Sequence, residues 1–127
     1  MAEPKTVGDD GRDVVNPNPK SYALLEEETK SLYLNFYRHT YAKSVLDRKT
    51  MELIAIGAAL VSGCQHCLEG HLKKAIKSGA TRAEISETIA ISLGVSAATI
   101  VDRSDIASET LKMWADADGK LHHGGGG

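Results

Sequence analysis

The sequence predicts an all-α domain, a bundle of about five to six helices. Proline is confined to positions 4, 17 and 19, so beyond residue 19 only glycine interrupts helical stretches. Aromatic residues make up 5 % against 42 % hydrophobic, and the apolar content is carried by Ala, Leu and Ile, which suits helices better than a sandwich or barrel. Apolar residues also share helical faces along the chain, and no strand or hairpin signal competes.

The elements follow in order. Residues 1–17 contain Gly8, Asp9, Asp10, Gly11, Asn16 and Pro17 with little apolar content, and read as a flexible or extended arm. Asn18 before Pro19 forms a cap and first helical position, opening a helix to about Tyr41. Leu25, Leu32 and Phe36 share one face of it, with Glu26, Glu27, Glu28 and Lys30 largely off that face. Asp47 caps a second helix, Arg48 to Ser62, whose run Leu53 to Val61 is apolar nearly all round and marks a buried central helix.

Gly63 ends that helix, and a third runs from about Cys64 to Ser78. Leu68, Leu72, Ala75 and Ile76 are expected inward, with Lys73, Lys74 and Lys77 outward. The lysine-rich last turn followed by Gly79 fits a helix C-terminus. Thr81-Arg82-Ala83-Glu84 is a capping box that starts a fourth helix, packed through Ile85, Ile89 and Leu93. Gly94-Val95-Ser96 is expected to interrupt the pattern, leaving a fifth helix from about Ala97 to Ala115. Its expected buried set is Ile100, Val101, Ala107, Leu111 and Trp114.

Residues 119–127 end in two histidines and four glycines and read as a disordered tail or an expression remnant, so the helical domain spans residues 18–118. Because the second helix has hardly any polar face in so small a domain, another copy of the chain is expected to cover part of it.

The formal charge is −2, and residues 1–17 account for it, so nothing global suggests nucleic acid or an anionic membrane as partner. No basic stretch followed by an apolar core opens the chain, and Leu53 to Val61, the longest apolar run, is too short to span a bilayer. A soluble cytoplasmic protein is expected. In a reducing compartment two cysteines at close spacing point to catalysis or metal binding before a structural staple.

The chemistry concentrates in Cys64-Gln65-His66-Cys67, followed by Leu68-Glu69-Gly70-His71 and preceded by Glu52; these are the only two cysteines in 127 residues. At the start of a helix, unpaired backbone N–H groups and the positive end of the dipole favour thiolate over thiol. Cys64 and Cys67 at i and i+3 share a face and can close a disulfide. Cys67 and His71 at i and i+4 are neighbours, whereas Cys64 and His71 lie about 10 Å apart on a straight helix.

His71 can therefore serve as a base for Cys67 and hardly for Cys64, which makes Cys67 the nucleophile and Cys64 the resolving partner. Glu52 would orient the imidazole if packing brings it within reach. His66, about 100° around the helix from Cys67, is expected to face elsewhere, either toward a subunit interface where it assists proton transfer or toward solvent. Zinc held by Cys64, Cys67, His71 and Glu52 is the metal alternative, weakened by the lack of a second C-x-x-C or His pair; inert burial is the third reading. Tyr33, Phe36, Tyr37 and Tyr41 read as core or interface packing, with a pocket lining as the alternative.

Glu52, eleven intervening residues, Cys64-x-x-Cys67, three intervening residues and His71 resembles the signature of the alkylhydroperoxidase D branch of the carboxymuconolactone decarboxylase family. His66 matches the histidine that peroxidase members carry between their cysteines. The similarity runs from about Tyr33 to Leu111 and includes Gly79-Ala80-Thr81 followed by Glu84-Ile85. The resemblance implies an all-helical fold assembling into a homotrimer or homohexamer, with the site close to subunit contacts. It also implies a cysteine peroxidase without metal, haem or other cofactor, in which the glutamate and distal histidine relay a proton to the second cysteine.

On that basis a hydroperoxide would convert Cys67 to a sulfenic acid, Cys64 would condense it to a disulfide, and a dithiol or protein reductant would restore the pair. The family's lactone decarboxylases generally lack the cysteine pair. A non-catalytic redox or metal-binding module, and a decarboxylase-like enzyme acting on a small metabolite, remain the alternatives.

Overall fold

The structure is a computed structural model that describes residues 22–42 and 45–124; the arm expected over residues 1–17 and the Asn18-Pro19 helix start lie outside the described residues. Four helices and one short hairpin follow one another: α1 (Glu27–Ala42), α2 (Arg48–Ser62), α3 (Gln65–Lys77), α4 (Arg82–Thr110), β1 (Met113–Ala115) and β2 (Leu121–His123). The fold is all-α. Its four described helices fall short of the five to six expected.

Local chemistry sets most of the boundaries. Residues before α1 form a turn closed by the Leu25 N–H on the Tyr22 carbonyl at 3.0 Å, and α1 starts where Glu27 and Glu28 meet the positive end of its dipole. The expected helix from residue 18 is thereby shortened. Asp47 caps α2 by accepting from the Thr50 N–H at 2.9 Å, and Gly63 ends it in the left-handed region at φ 77°. Thr81 and Glu84 form the expected capping box reciprocally, at 3.2 Å and 2.8 Å.

The break expected at Gly94 is absent, and α4 runs unbroken for 29 residues. An interior glycine costs a helix only about 1 kcal/mol, and no proline forces a stop. The unbroken helix is long and apolar enough to cross a membrane by length and composition, which corrects the expectation that no such stretch exists.

Lys112, in the left-handed region at φ 49°, ends the helical path, and the chain turns into the hairpin. Trp114 pairs with His122 in the antiparallel register, and Asp116 holds the turn by accepting from the N–H groups of Asp118 and Lys120, both at 3.0 Å. Residues 119–124 are thus part of the fold, correcting their assignment to a disordered tail, and Trp114 belongs to a strand where a helix was expected.

The core sits on α2, which packs between α3 and α4. Met51, Ile56 and Ala59 of α2 and Ala75 of α3 are its buried apolar members, and two polar residues, Glu52 and His71, are buried beside them. Gly57 lets α4 come close: a Cβ there would lie 3.1 Å from the Ser92 hydroxyl.

Elsewhere the apolar pattern lacks cover within the chain. No residue of α1 or α4 is buried, with Phe36 69 %, Leu93 68 % and Ile100 71 % exposed. Ile76 of α3 also points outward, as do Val101, Ala107, Leu111 and Trp114. Their expected burial is not met within a single chain.

Candidate functional site

Cys64 is placed by the turn before it. With Gly63 left-handed, the chain leaves α2 and re-enters a helix at once, so Cys64 becomes the N-cap of α3 and its Sγ accepts from the Cys67 N–H at 3.3 Å. The two cysteines form a disulfide with their Cα atoms 5.3 Å apart.

They do not share surroundings. Cys67 lines a cavity of about 410 Å³ together with Tyr22, Tyr33, Tyr37, His66 and His71. Cys64 instead borders a hollow of about 120 Å³ beside Ala59, Leu60 and Leu68. The difference that helix register predicts between the two thiols is therefore also a difference in what each can meet.

One turn after Cys67, His71 turns inward and its Nδ1 lies 2.7 Å from Glu52 Oε2. These residues are 19 apart in sequence, and α2–α3 packing alone joins them. A carboxylate oxygen can only accept in this contact, so Nδ1 donates the hydrogen and Nε2 is the ring nitrogen not engaged by Glu52. Glu52 is fully buried, a location where a carboxylate needs partners for both oxygens.

The second partner is Arg48, whose Nε lies 2.9 Å from Glu52 Oε1 and whose side chain is 13 % exposed. That approach lacks hydrogen-bond alignment, and Arg48 Nε, Arg48 Nη1 and Glu52 Oε1 are buried without a hydrogen-bond partner. The pair therefore attracts through charge alone.

The first helix closes the other side. Tyr41 stacks on the His71 ring with centroids 5.8 Å apart and planes at 23°. Behind it the rings of Tyr37, Tyr33 and Tyr22 continue the row at 4.9, 6.5 and 5.2 Å. Spacing of four residues puts Tyr33, Tyr37 and Tyr41 on one stripe of α1. Burial, and then the charge of Glu52, push the Tyr41 phenol up; burial followed by Tyr41 does the same for Tyr37. Both remain neutral hydrogen-bonding groups. The Lys74 ammonium sits over the Tyr41 ring, 5.9 Å from its centre.

All five residues singled out from the sequence fall in this region. Cys67 and His71 share the cavity, Glu52 holds His71, and Cys64 is bonded to Cys67 from the far side. His66, expected to face elsewhere, lines the same cavity as Cys67 and is exposed. Arg48 was missed, although it stands four residues before Glu52 on the same helix. Of the aromatic residues expected chiefly to pack, Tyr33 and Tyr37 line the cavity, and Tyr22, which the sequence did not single out, lines it with them. Among the described residues, no group of three or more His, Cys, Asp or Glu side chains is gathered to hold a metal ion.

The family model described as carboxymuconolactone decarboxylase family matches residues 27–103, which contain α1 to α3, most of α4 and every site residue named above except Tyr22. A curated relative from Paracoccus denitrificans, called uncharacterized protein 4 in cox locus, is 36 % identical over 77 residues, covering 56 % of this chain and 69 % of the relative. No solved structure matches the chain.

Proposed function

The chain belongs to the carboxymuconolactone decarboxylase family, and from that premise we propose that it is a thiol-dependent peroxidase and disulfide oxidoreductase that reduces hydroperoxides. The observation that carries this reading is Cys67 opening on the same cavity as His71, whose imidazole is held by the buried Glu52. That is a nucleophile, a base and an orienting group, each contributed by a different position of two packed helices.

In the reduced protein, His71 Nε2 takes the Cys67 proton and the thiolate attacks the terminal oxygen of the hydroperoxide. The O–O bond breaks, Cys67 becomes a sulfenic acid, and the departing alkoxide takes the proton back from His71 and leaves as an alcohol. Cys64 then attacks the Cys67 sulfur, water leaves, and the disulfide of this structure results. A dithiol donor returns two electrons and two protons by exchange. His66 stands at the cavity mouth, where it assists proton transfer to the leaving oxygen.

The reaction is placed in the cytoplasm, where dithiol donors keep such a pair reduced. The uncovered apolar faces of α1 and α4 support assembly into a homotrimer or homohexamer.

The test is to mix reduced protein with tert-butyl hydroperoxide and follow peroxide loss and free thiols together. One disulfide per peroxide is expected, with Cys67→Ser inert and Cys64→Ser stopping at a Cys67 sulfenic acid trapped by a dimedone probe. Peroxide consumption that persists in Cys67→Ser refutes the reading. Native mass spectrometry of the same samples gives the subunit count.

A further inference from the structure

Arg48 stands where local rules disfavour it. It is the first residue of α2, where the helix dipole repels a cation, and an arginine four residues before a glutamate is the weaker order for such a pair. Its side chain nevertheless folds inward, and two of its nitrogens are buried without a hydrogen-bond acceptor. What it gains is the charge of Glu52 at 2.9 Å. A residue that departs from local rules in this way points to a functional or strained site.

The function concerns the proton on His71. A fully buried carboxylate draws a counter-cation, and Glu52 has two neighbours that can supply one, Arg48 on Oε1 and His71 on Oε2. Guanidinium carries its charge at every pH of interest. With that charge in place, the imidazole need only donate Nδ1–H to Oε2 and has no need to become a cation.

We propose that Arg48 is a positioning residue of the site, a fixed counter-ion that takes up the charge of Glu52 so that His71 stays a neutral base for Cys67. This rests on the reading of Cys67 and His71 as a thiol and its base. Without Arg48, the buried carboxylate and the imidazole would form an ion pair of their own, and the base would already hold its proton.

The other groups around His71 do not replace Arg48. From α1, Tyr41 and Tyr37 present neutral phenols. On α3, Cys67 and Lys74 lie a turn to either side, the ammonium over the Tyr41 ring, while His66, Glu69 and Lys73 line the cavity. From α4, Glu84 is taken up by Lys49 at 2.9 Å. Among the described residues, Arg48 and His71 are the ion-pair partners of Glu52.

The experiment compares wild type, Arg48→Gln and Arg48→Lys in the reduced state with two readouts. Imidazole nitrogen NMR reports whether the His71 ring carries one hydrogen or two. The rate of disulfide formation with excess tert-butyl hydroperoxide is measured from about pH 6 to about pH 9. Near pH 6.5, Arg48→Gln is expected to show the doubly protonated ring and a rate lower by about tenfold, recovering to within about threefold at the alkaline end. Arg48→Lys is expected to follow wild type. Arg48→Met, of similar volume, takes the place of Arg48→Gln if that variant does not fold.

A singly protonated ring in the charge-free variants, with either an unchanged profile or a loss equal at every pH, overturns the proposal. A wild type that ignores hydroperoxide while the ring still responds to Arg48 sinks the peroxidase reading and leaves this assignment standing.

Discussion

Glu52→Gln tests the buried centre most directly, because it keeps the shape and removes the charge. In the wild type the carboxylate stands 2.7 Å from His71 Nδ1 and 2.9 Å from Arg48 Nε, itself fully buried and with the arginine side chain 13 % exposed. After the substitution, the guanidinium is left buried with no counter-ion and with Nε and Nη1 still unpaired. Breaking one side of a buried pair costs about 3–5 kcal/mol, and the small remaining exposure of Arg48 argues for the lower end, about 3 kcal/mol.

At about 3 °C for each kcal/mol in a domain of this size, Tm should fall by roughly 10 °C. Calorimetry at one fixed protein concentration is the assay, since any assembly makes Tm depend on concentration. Glutamine can still accept from Nδ1–H but no longer holds it with a charge, so thiol oxidation by hydroperoxide should slow by about 10²-fold, the scale of a base that is present but poorly supported. A stability loss under about 1 kcal/mol would show that Arg48 and Glu52 are solvated, and the account of a charge-balanced site would fall with it.

Two further outcomes follow from positions away from that centre. Gly63→Ala meets no steric neighbour, because nothing lies within 4 Å of the added Cβ, but φ 77° is costly for any L side chain; about 1 kcal/mol should be lost by chemical denaturation. A loss indistinguishable from zero would mean that the α2–α3 turn relaxes without the left-handed residue. In the hairpin, the hydrogen bond from His122 is the first cause holding the Asp116 carboxyl below its usual range, with the backbone N–H of Lys120 adding to it. A depressed carboxylate contributes stability above its ordinary value and loses it as pH falls through the lowered one, so acidification below about pH 4 should loosen the hairpin. Trp114, the sole tryptophan, stacks on His122 at 4.3 Å and reports this by fluorescence; Asp116→Asn should abolish that acid limb, and an unchanged limb would exclude Asp116 as its source.

What was legible in the sequence was local. Asp47, Gly63 and the Thr81–Glu84 box act across three or four residues, so their residue types reveal helix ends directly. The inequality of Cys64 and Cys67 toward His71 needed only the rise of one helix. The failures arose where one weak local signal met a longer-range balance. Gly94 lowers helix propensity slightly, yet the hydrogen-bond ladder of α4 absorbs it. The hairpin depends on a left-handed Lys112 and an Asp116 turn, neither of which has a strong sequence signature.

The sequence by itself determined the helical class, the caps, the thiol pair and the histidine one turn beyond it, because each of these is decided by neighbours along a single helix. Only the tertiary structure decided that Glu52 reaches His71 and that Tyr41 covers the ring. Those contacts depend on how far helices approach and at what rotation, quantities that apolar spacing constrains only to a face. Burial was likewise beyond the pattern: it groups the apolar residues of α1 and α4 on faces, but not that the described helices leave those faces exposed.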